Sequence, residues 1–268
     1  MTSTDVQFSG SIPALYDRYL VPLLFAPYAA DLARRVAALE PRRILETAAG
    51  TGVVTAEMAG AVPAAEIVAT DLNQAMLDVA AERVASDRVA FRQADGQSLP
   101  FDDSSFDVVA CQFGVMFFPD RIAAYREARR VLRPGGTFLF NVWNRLEDNP
   151  VSHHLARAVA ALFPDDPPTF LERIPFGYHD KARIEQDLRA AGFDEVAGET
   201  LERRSRVESP RAAATGLCHG TPLRAEIEKH GPERLDEATE AAAAALAGLT
   251  GPGEVEAPMS AHVFSARG

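Results

Sequence analysis

The sequence predicts an α/β fold, a parallel sheet covered by helices on both faces, and three observations predict it. Between residues 42 and 144, short runs rich in Val, Ile, Leu or Phe alternate with stretches of helical periodicity. The first three of those runs end in or beside an acidic residue, where open parallel sheets bind ligands. A chain of 268 residues, 47% of them hydrophobic, also has material for the core of one large domain or two small ones.

Taken in order, residues 13–39 read as one or two helices broken near Pro22 and Pro27. Their Tyr16, Tyr19, Leu23, Leu24, Phe25 and Tyr28 make a segment apolar enough to require a packing partner. Strands follow at 43–47, 66–71, 89–95, 106–113 and 137–143. After the second strand, Asn73 caps a helix with Met76, Leu77, Ala80, Ala81 and Val84 at helical spacing. After the fourth, Asp120 caps a helix bearing Ile122, Tyr125, Ala128 and Leu132, which Pro134-Gly135-Gly136 ends. A helix at 152–163, a loop with Pro164, Pro167 and Pro168, and a helix at 181–191 ended by Gly192 come next. Residues 194–207 and 259–267 alternate like strands, separated by a helical insert at 208–250. The alanine run at 241–245 is helix by propensity.

Composition excludes several functions. Lys and Arg number 27 against 38 Asp and Glu, and the net charge of −11 repels phosphate backbones and anionic membranes. No nucleic-acid or membrane partner is expected. The two cysteines, Cys111 and Cys218, are too few for a disulfide scaffold, and Cys218 with His219 lacks the spacing of a zinc site, so no metal is expected. The start MTSTDVQFSG has neither the basic nor the apolar region of a secretory signal, and no apolar run reaches membrane-spanning length, which points to the cytoplasm.

The sharpest chemical signal is the first strand entering ILETAAGTGVVT, where Glu46, Ala48, Gly50 and Gly52 alternate on a strand-to-helix turn. Small residues let the main chain approach a bound molecule, and the following helix directs free N–H groups at it. Asp71 ends the second strand, where a carboxylate can accept both hydroxyls of a ribose. Asp95, with Gly96, ends the third and can take a hydrogen bond from an adenine amino group. A single glycine turn or strand-end Asp is equally a structural feature; the ordered set of three implies a nucleoside-type ligand along one crevice.

Residues 42–140 resemble the class I S-adenosylmethionine-dependent methyltransferases, of the group similar to the ubiquinone/menaquinone C-methyltransferases (type 11). The blocks that carry the likeness are ETAAGTG, ATDLNQAML, QADGQSLPFDDSSFDVV and RRVLRPGG. Ala48 departs from the family, which usually has glycine there. The resemblance implies a Rossmann-like seven-stranded sheet, six strands parallel and the last antiparallel, with residues 194–207 and 259–267 as the last two. It implies that Glu46, Ala48, Gly50 and Gly52 surround the methionine part of S-adenosylmethionine and that Asp71 holds the ribose. Leu72 and Met76 then sandwich the adenine, Ala94, Asp95 and Gly96 meet its edge, and Gln112 lies under the sulfonium. Tyr19 joins the cofactor set from the less specific likeness over Tyr16 to Pro27. S-adenosylhomocysteine is the implied product.

Methyl transfer from a sulfonium is an in-line displacement, so the protein mainly positions a small-molecule acceptor and excludes water. A base is needed only if the acceptor arrives protonated. His153 and His154, at a helix start near the fifth strand, are candidates, although adjacent histidines there are more often surface residues. Trp143 with Tyr16 or Tyr19 can wall an acceptor pocket, or serve equally as core. A nicotinamide dehydrogenase fits less well, because Thr55 stands where its fingerprint needs a third small residue and no Tyr-x-x-x-Lys pair occurs. A cofactor-binding protein without catalysis keeps the same cradle. Nucleic-acid methyltransferases that act on base amino groups resemble one another in an Asn/Asp-Pro-Pro-Tyr/Phe block, and Cys111-Gln112-Phe113-Gly114 stands in its place. The expected organisation is a single domain over 1–268, with a helical lid at 1–40, a cofactor core at 42–144 and an insert region at 208–257 shaping the acceptor site.

Overall fold

The computed structural model describes residues 3–268, so the first two residues of the 1–40 segment lie outside the described residues. The chain runs through α1 (Ile12–Leu15), a π-helical segment (Tyr16–Phe25), α2 (Ala26–Ala37), β1 (Arg43–Thr47), α3 (Val53–Ala61), β2 (Glu66–Asp71), α4 (Gln74–Arg83) and β3 (Val89–Gln93). It continues through β4 (Phe106–Gln112), α5 (Arg121–Val131), β5 (Leu132–Trp143), α6 (Pro150–Ala160), α7 (Phe170–Arg173), α8 (Lys181–Ala190) and β6 (Glu195–Val207). Then come α9 (Pro210–His219), α10 (Leu223–Glu228), α11 (Arg234–Thr250) and β7 (Val255–Arg267).

The seven strands form one sheet in the order β3-β2-β1-β4-β5-β7-β6. Strands β1 to β5 are parallel and β7 is antiparallel to β5. Asp194 bonds to Arg267 while Thr200 bonds to His262, so β6 and β7 run in opposite directions and β6 is the sixth parallel strand. The predicted architecture is therefore present. The order reverses between β1 and β4, and the crevice at that switch is where ligands bind in such sheets.

Two compact units divide the chain. One holds Tyr28–Trp143, Tyr178–Leu201 and Ala261–Gly268. On one face of its sheet, Ala29, Leu32 and Val36 of α2 and Val54 and Met58 of α3 bury against Ile44, Ile67, Val108, Ala110 and Leu139. On the other, Tyr125 of α5 packs its ring against Phe138 and Phe140, with Phe193 beyond. These are aliphatic and aromatic layers at alternate strand positions, the period that a sheet imposes. The second unit holds the residues through Pro27, Asn144–Gly177 and Glu202–Ser260, and is mainly helical. In it α9 packs on α11 and on the π-helical segment, and α11 on α6. The predicted insert is helix throughout its alanine run.

Three local expectations are corrected. Residues 12–37 are helical without a break, because Pro22 falls inside the π-helical segment, whose i to i−5 bonding widens the turn around the proline ring. Pro134-Gly135-Gly136 does not end a helix: α5 stops at Val131, Leu132 already pairs with Phe106, and the register shift before Val108 marks a bulge, with Gly135 at φ 77°. Strand β3 ends at Gln93, so Asp95 lies two residues beyond it, in a turn where it bridges to Ser98.

Candidate active site

At the carboxyl end of β1, Glu46 is 1% exposed and accepts a 2.5 Å hydrogen bond from Thr55 on the first turn of α3. Burial, together with the negative charge of Asp71, raises its pKa to about 8, against the hydrogen bond from Thr55 that lowers it. At neutral pH this carboxyl is therefore largely protonated, and a cation beside it would restore its charge.

The turn that follows is left-handed at three positions, Ala48 (φ 53°), Gly50 (φ 56°) and Gly52 (φ 78°). Ala48 takes a conformation that suits the glycine its family usually has, at the strain of a Cβ in that region. Gly52 is required for a second reason, since a Cβ there would lie 2.8 Å from the Cβ of Ala80 on α4. Helix α4 also reaches the turn through Arg83, whose Nε donates to the Thr51 carbonyl at 3.0 Å. Within the turn the Thr51 hydroxyl is buried without a hydrogen-bond partner.

Asp71 ties the second strand to this turn. Its Oδ2 accepts from the Gly50 N–H at 2.9 Å and its Oδ1 from the Asn73 N–H at 2.8 Å. Burial raises its pKa, opposed by those amides. Its Oδ1 also accepts from the Asn73 side-chain amide at 3.4 Å. Asn73 starts α4 as predicted, yet its side chain bonds to Asp71 and does not cap the helix. Leu72, next to the buried Asp71, is 48% exposed and is the most exposed large hydrophobic side chain among the described residues. Met76 is buried on the inner face of α4.

The third strand end joins through Ala94, whose N–H donates to the Asp71 carbonyl at 3.0 Å, and through Gln93, whose side chain donates to the Leu72 carbonyl at 2.7 Å. Asp95 is exposed and accepts from the Gln97 N–H at 2.9 Å. Gly96 gives room to the Phe118 ring, 2.8 Å from where a Cβ would sit.

Beyond β4, the turn from Gln112 to Gly114 faces the glycine turn. A Cβ on Gly114 would lie 2.5 Å from the Ala48 Cβ and 2.6 Å from the Cys111 Sγ. Burial pushes the Cys111 thiol up to about 12, which makes it an inert packing group. Gln112 is half-buried and accepts a 3.4 Å hydrogen bond from Asn141 of β5. Trp143 is buried, stacked at 3.8 Å on Phe113 and met edge-on by Tyr28.

The structure thus joins Glu46, Ala48, Gly50, Gly52, Asp71, Ala94 and the Gln112 turn at one edge of the sheet. Tyr16, Tyr19, His153 and His154 belong to the helical unit: Tyr16 stacks on Phe25 at 4.9 Å, Tyr19 lies under the Arg18 guanidinium, and the two histidine rings meet edge-on in α6. Sequence reasoning missed Thr51, Arg83 and Asn141. A lone Asn in the apolar run FLFNVW was the one signal available for the last. Among the described residues, no group of three His, Cys, Asp or Glu is placed to hold a metal, and no helix is long and apolar enough to cross a membrane.

These features fit an adenosyl sulfonium. Buried acids suit a cation and a diol, an exposed Leu suits a flat base, and an unpartnered hydroxyl stands in the turn between them. Comparison with known proteins agrees. A family model described as a methyltransferase domain matches residues 45–140. A demethylmenaquinone methyltransferase of Deinococcus radiodurans is 33% identical over 180 residues, 60% of this chain and 73% of that protein. Another from Clavibacter sepedonicus is 44% identical over 104 residues, 38% of this chain and 42% of that protein. Phosphoethanolamine N-methyltransferase 2 of Haemonchus contortus, solved in complex with S-adenosyl-L-methionine, shares the fold with a TM-score of 0.61 at 17% identity, covering 100% of this chain and 60% of that one. Motif, sheet order and relatives agree, and the chain belongs to the class I S-adenosylmethionine-dependent methyltransferases.

Proposed function

We propose that this methyltransferase alkylates a small-molecule acceptor. The observation that carries the reading is the step from Asp71 to Leu72, a buried carboxylate bonded to the glycine turn beside an exposed apolar side chain at the carboxyl edge of the sheet. The net charge of −11 disfavours a nucleic-acid acceptor, and the relatives named above are called after small molecules.

S-adenosylmethionine supplies, when bound, a methyl group already activated on sulfur. The protein's own residues bind and orient. In this reading Asp71 holds the ribose hydroxyls, Leu72 and Met76 flank the adenine, and Ala94, Asp95 and Gly96 meet its edge. Glu46 faces the cationic part, Ala48, Gly50 and Gly52 let the main chain approach, and Gln112 lies at the transfer point. Such positioning contributes about 7 to 11 kcal/mol to an in-line displacement, so no nucleophilic side chain is required. Trp143, Tyr16 and Tyr19 are the proposed apolar contacts. His153 and His154 are the proposed bases for an acceptor that arrives protonated. The 1–40 segment and the 208–257 insert are proposed to set acceptor choice, since such peripheral segments vary while cores hold the cofactor.

The test is to incubate the purified protein with S-adenosylmethionine and a low-molecular-weight extract. A metabolite that gains the mass of one CH2, in step with S-adenosylhomocysteine, is the expected result. Turnover that appears only with added RNA, DNA or protein would overturn the small-molecule reading.

A further inference from the structure

We propose that Asn141 is a positioning residue that holds the strained Gln112–Phe113 turn at the end of β4 in the conformation that presents Gln112 to the reacting methyl group. The inference rests on the reading above that Gln112 lies at the transfer point.

The starting observation is a strained residue. Phe113 has φ 49°, a region that bulky L-residues avoid and occupy only where their surroundings impose it. Here the surroundings do so from several directions. The Phe113 N–H donates to the Asn141 Oδ1 at 2.9 Å and to the Asn141 carbonyl at 3.2 Å. The Phe113 ring lies flat on Trp143, 3.8 Å away and within 7° of parallel, with Tyr28 edge-on at 5.2 Å. Gly114 follows, closed against Ala48 and Cys111, so the chain has no room to relax on that side.

The Asn141 side chain touches both residues of the turn. While its Oδ1 takes the Phe113 amide, its Nδ2 donates to the Gln112 Oε1 at 3.4 Å. It is 1% exposed and sits between Leu139 and Trp143 on the strand face that α2 covers, where an aliphatic residue would fill the same space. A buried amide at an apolar position costs free energy unless its polar atoms are used. They are used on the turn.

Trp143 is the only tryptophan in the chain and stacks on the strained residue, so its emission reports the turn directly. The experiment compares wild type, Asn141→Ala and Asn141→Asp. Each is titrated calorimetrically with S-adenosylhomocysteine, with Trp143 emission recorded and folding checked by thermal melting. Asn141→Ala is expected to shift the emission and weaken binding about tenfold, the effect of roughly one hydrogen bond and a loosened turn. Asn141→Asp keeps an acceptor for the Phe113 amide but loses the donor to Gln112, so it should retain the wild-type emission and recover part of the affinity.

A folded Asn141→Ala with wild-type emission and affinity would overturn the proposal, as would an Asp variant no better than Ala. If the Ala variant fails to fold, the Asp variant decides alone: wild-type emission supports the clamp and altered emission contradicts it. Wild type that does not bind S-adenosylhomocysteine would instead sink the cofactor reading, and the emission comparison would still judge the turn.

Discussion

The two halves of the sheet's carboxyl edge are built by different means. On the β1–β2 side, Glu46 and Asp71 are buried carboxyls held by polar partners, Glu46 by the Thr55 hydroxyl and Asp71 by the Gly50 and Asn73 amides. On the β4–β5 side the walls are aromatic, and the turn is held by Asn141, a residue 28 positions after Phe113. The first half uses charge to choose a ligand; the second uses a rigid, water-poor wall to place what the ligand reacts with. Each half can be broken separately.

The largest effect is expected on the charged half. Asp71→Ala should weaken S-adenosylmethionine binding by about 2 to 3 kcal/mol, through lost charge-assisted hydrogen bonds and a loosened Gly50 amide. Calorimetry checks this, and unchanged affinity would remove Asp71 from the site. The junction of the halves comes next. Gly114→Ala should destabilise the fold by about 1 to 3 kcal/mol, because its Cβ meets Ala48 and Cys111. Adding Ala48→Gly should return part of that loss by removing one collision, and chemical denaturation of the single and double variants measures the coupling.

A third test uses pH. Glu46 has its pKa raised from 4.5 to about 8, so the folded protein holds a proton there that the unfolded chain releases near pH 4.5. Its contribution therefore favours folding most below pH 4.5, declines between pH 4.5 and 8, and is fully unfavourable above 8. Cofactor binding should show the opposite trend. A cation prefers the ionised carboxylate, so affinity should rise with pH up to about 8 and then level off, with a proton released on binding. Glu46→Gln should flatten this dependence, and calorimetry in buffers of different ionisation enthalpy counts the proton. The smallest effect is expected at Leu72. Leu72→Ala should leave stability within about 0.5 kcal/mol, since the side chain is exposed, while lowering cofactor affinity several-fold. Equal losses in stability and binding would mean that Leu72 serves the fold.

This contrast also explains what the sequence revealed. Strands β1 and β2 lie where the apolar runs placed them, and the turn with its acids was readable because glycines and strand-end acids announce their chemistry by residue type and position. Asp120 caps α5 through Ala123, as its position before the helix implied. The β4–β5 half was largely illegible. Nothing local in Phe113 announces a positive φ, and Asn141 acquires its role only when two strands are paired. The bulge at Gly135 and the unbroken helix through Pro22 were missed for a related reason. Both residues are ordinary terminators by propensity, and pairing with Phe106 in one case and a widened helical turn in the other overrode it. Thr51 and Arg83 were invisible because their roles depend on α4 packing against the glycine turn.

Successive strand ends and a small-residue turn grip an adenosyl sulfonium in this reading, and a crystal structure with S-adenosylhomocysteine is the decisive test. Ribose hydroxyls are expected within hydrogen-bonding distance of Asp71, adenine against Leu72 and sulfur beside the Gln112 turn. Density for the ligand at another place on the chain, or in a pose that leaves Asp71 and Glu46 untouched, would contradict it.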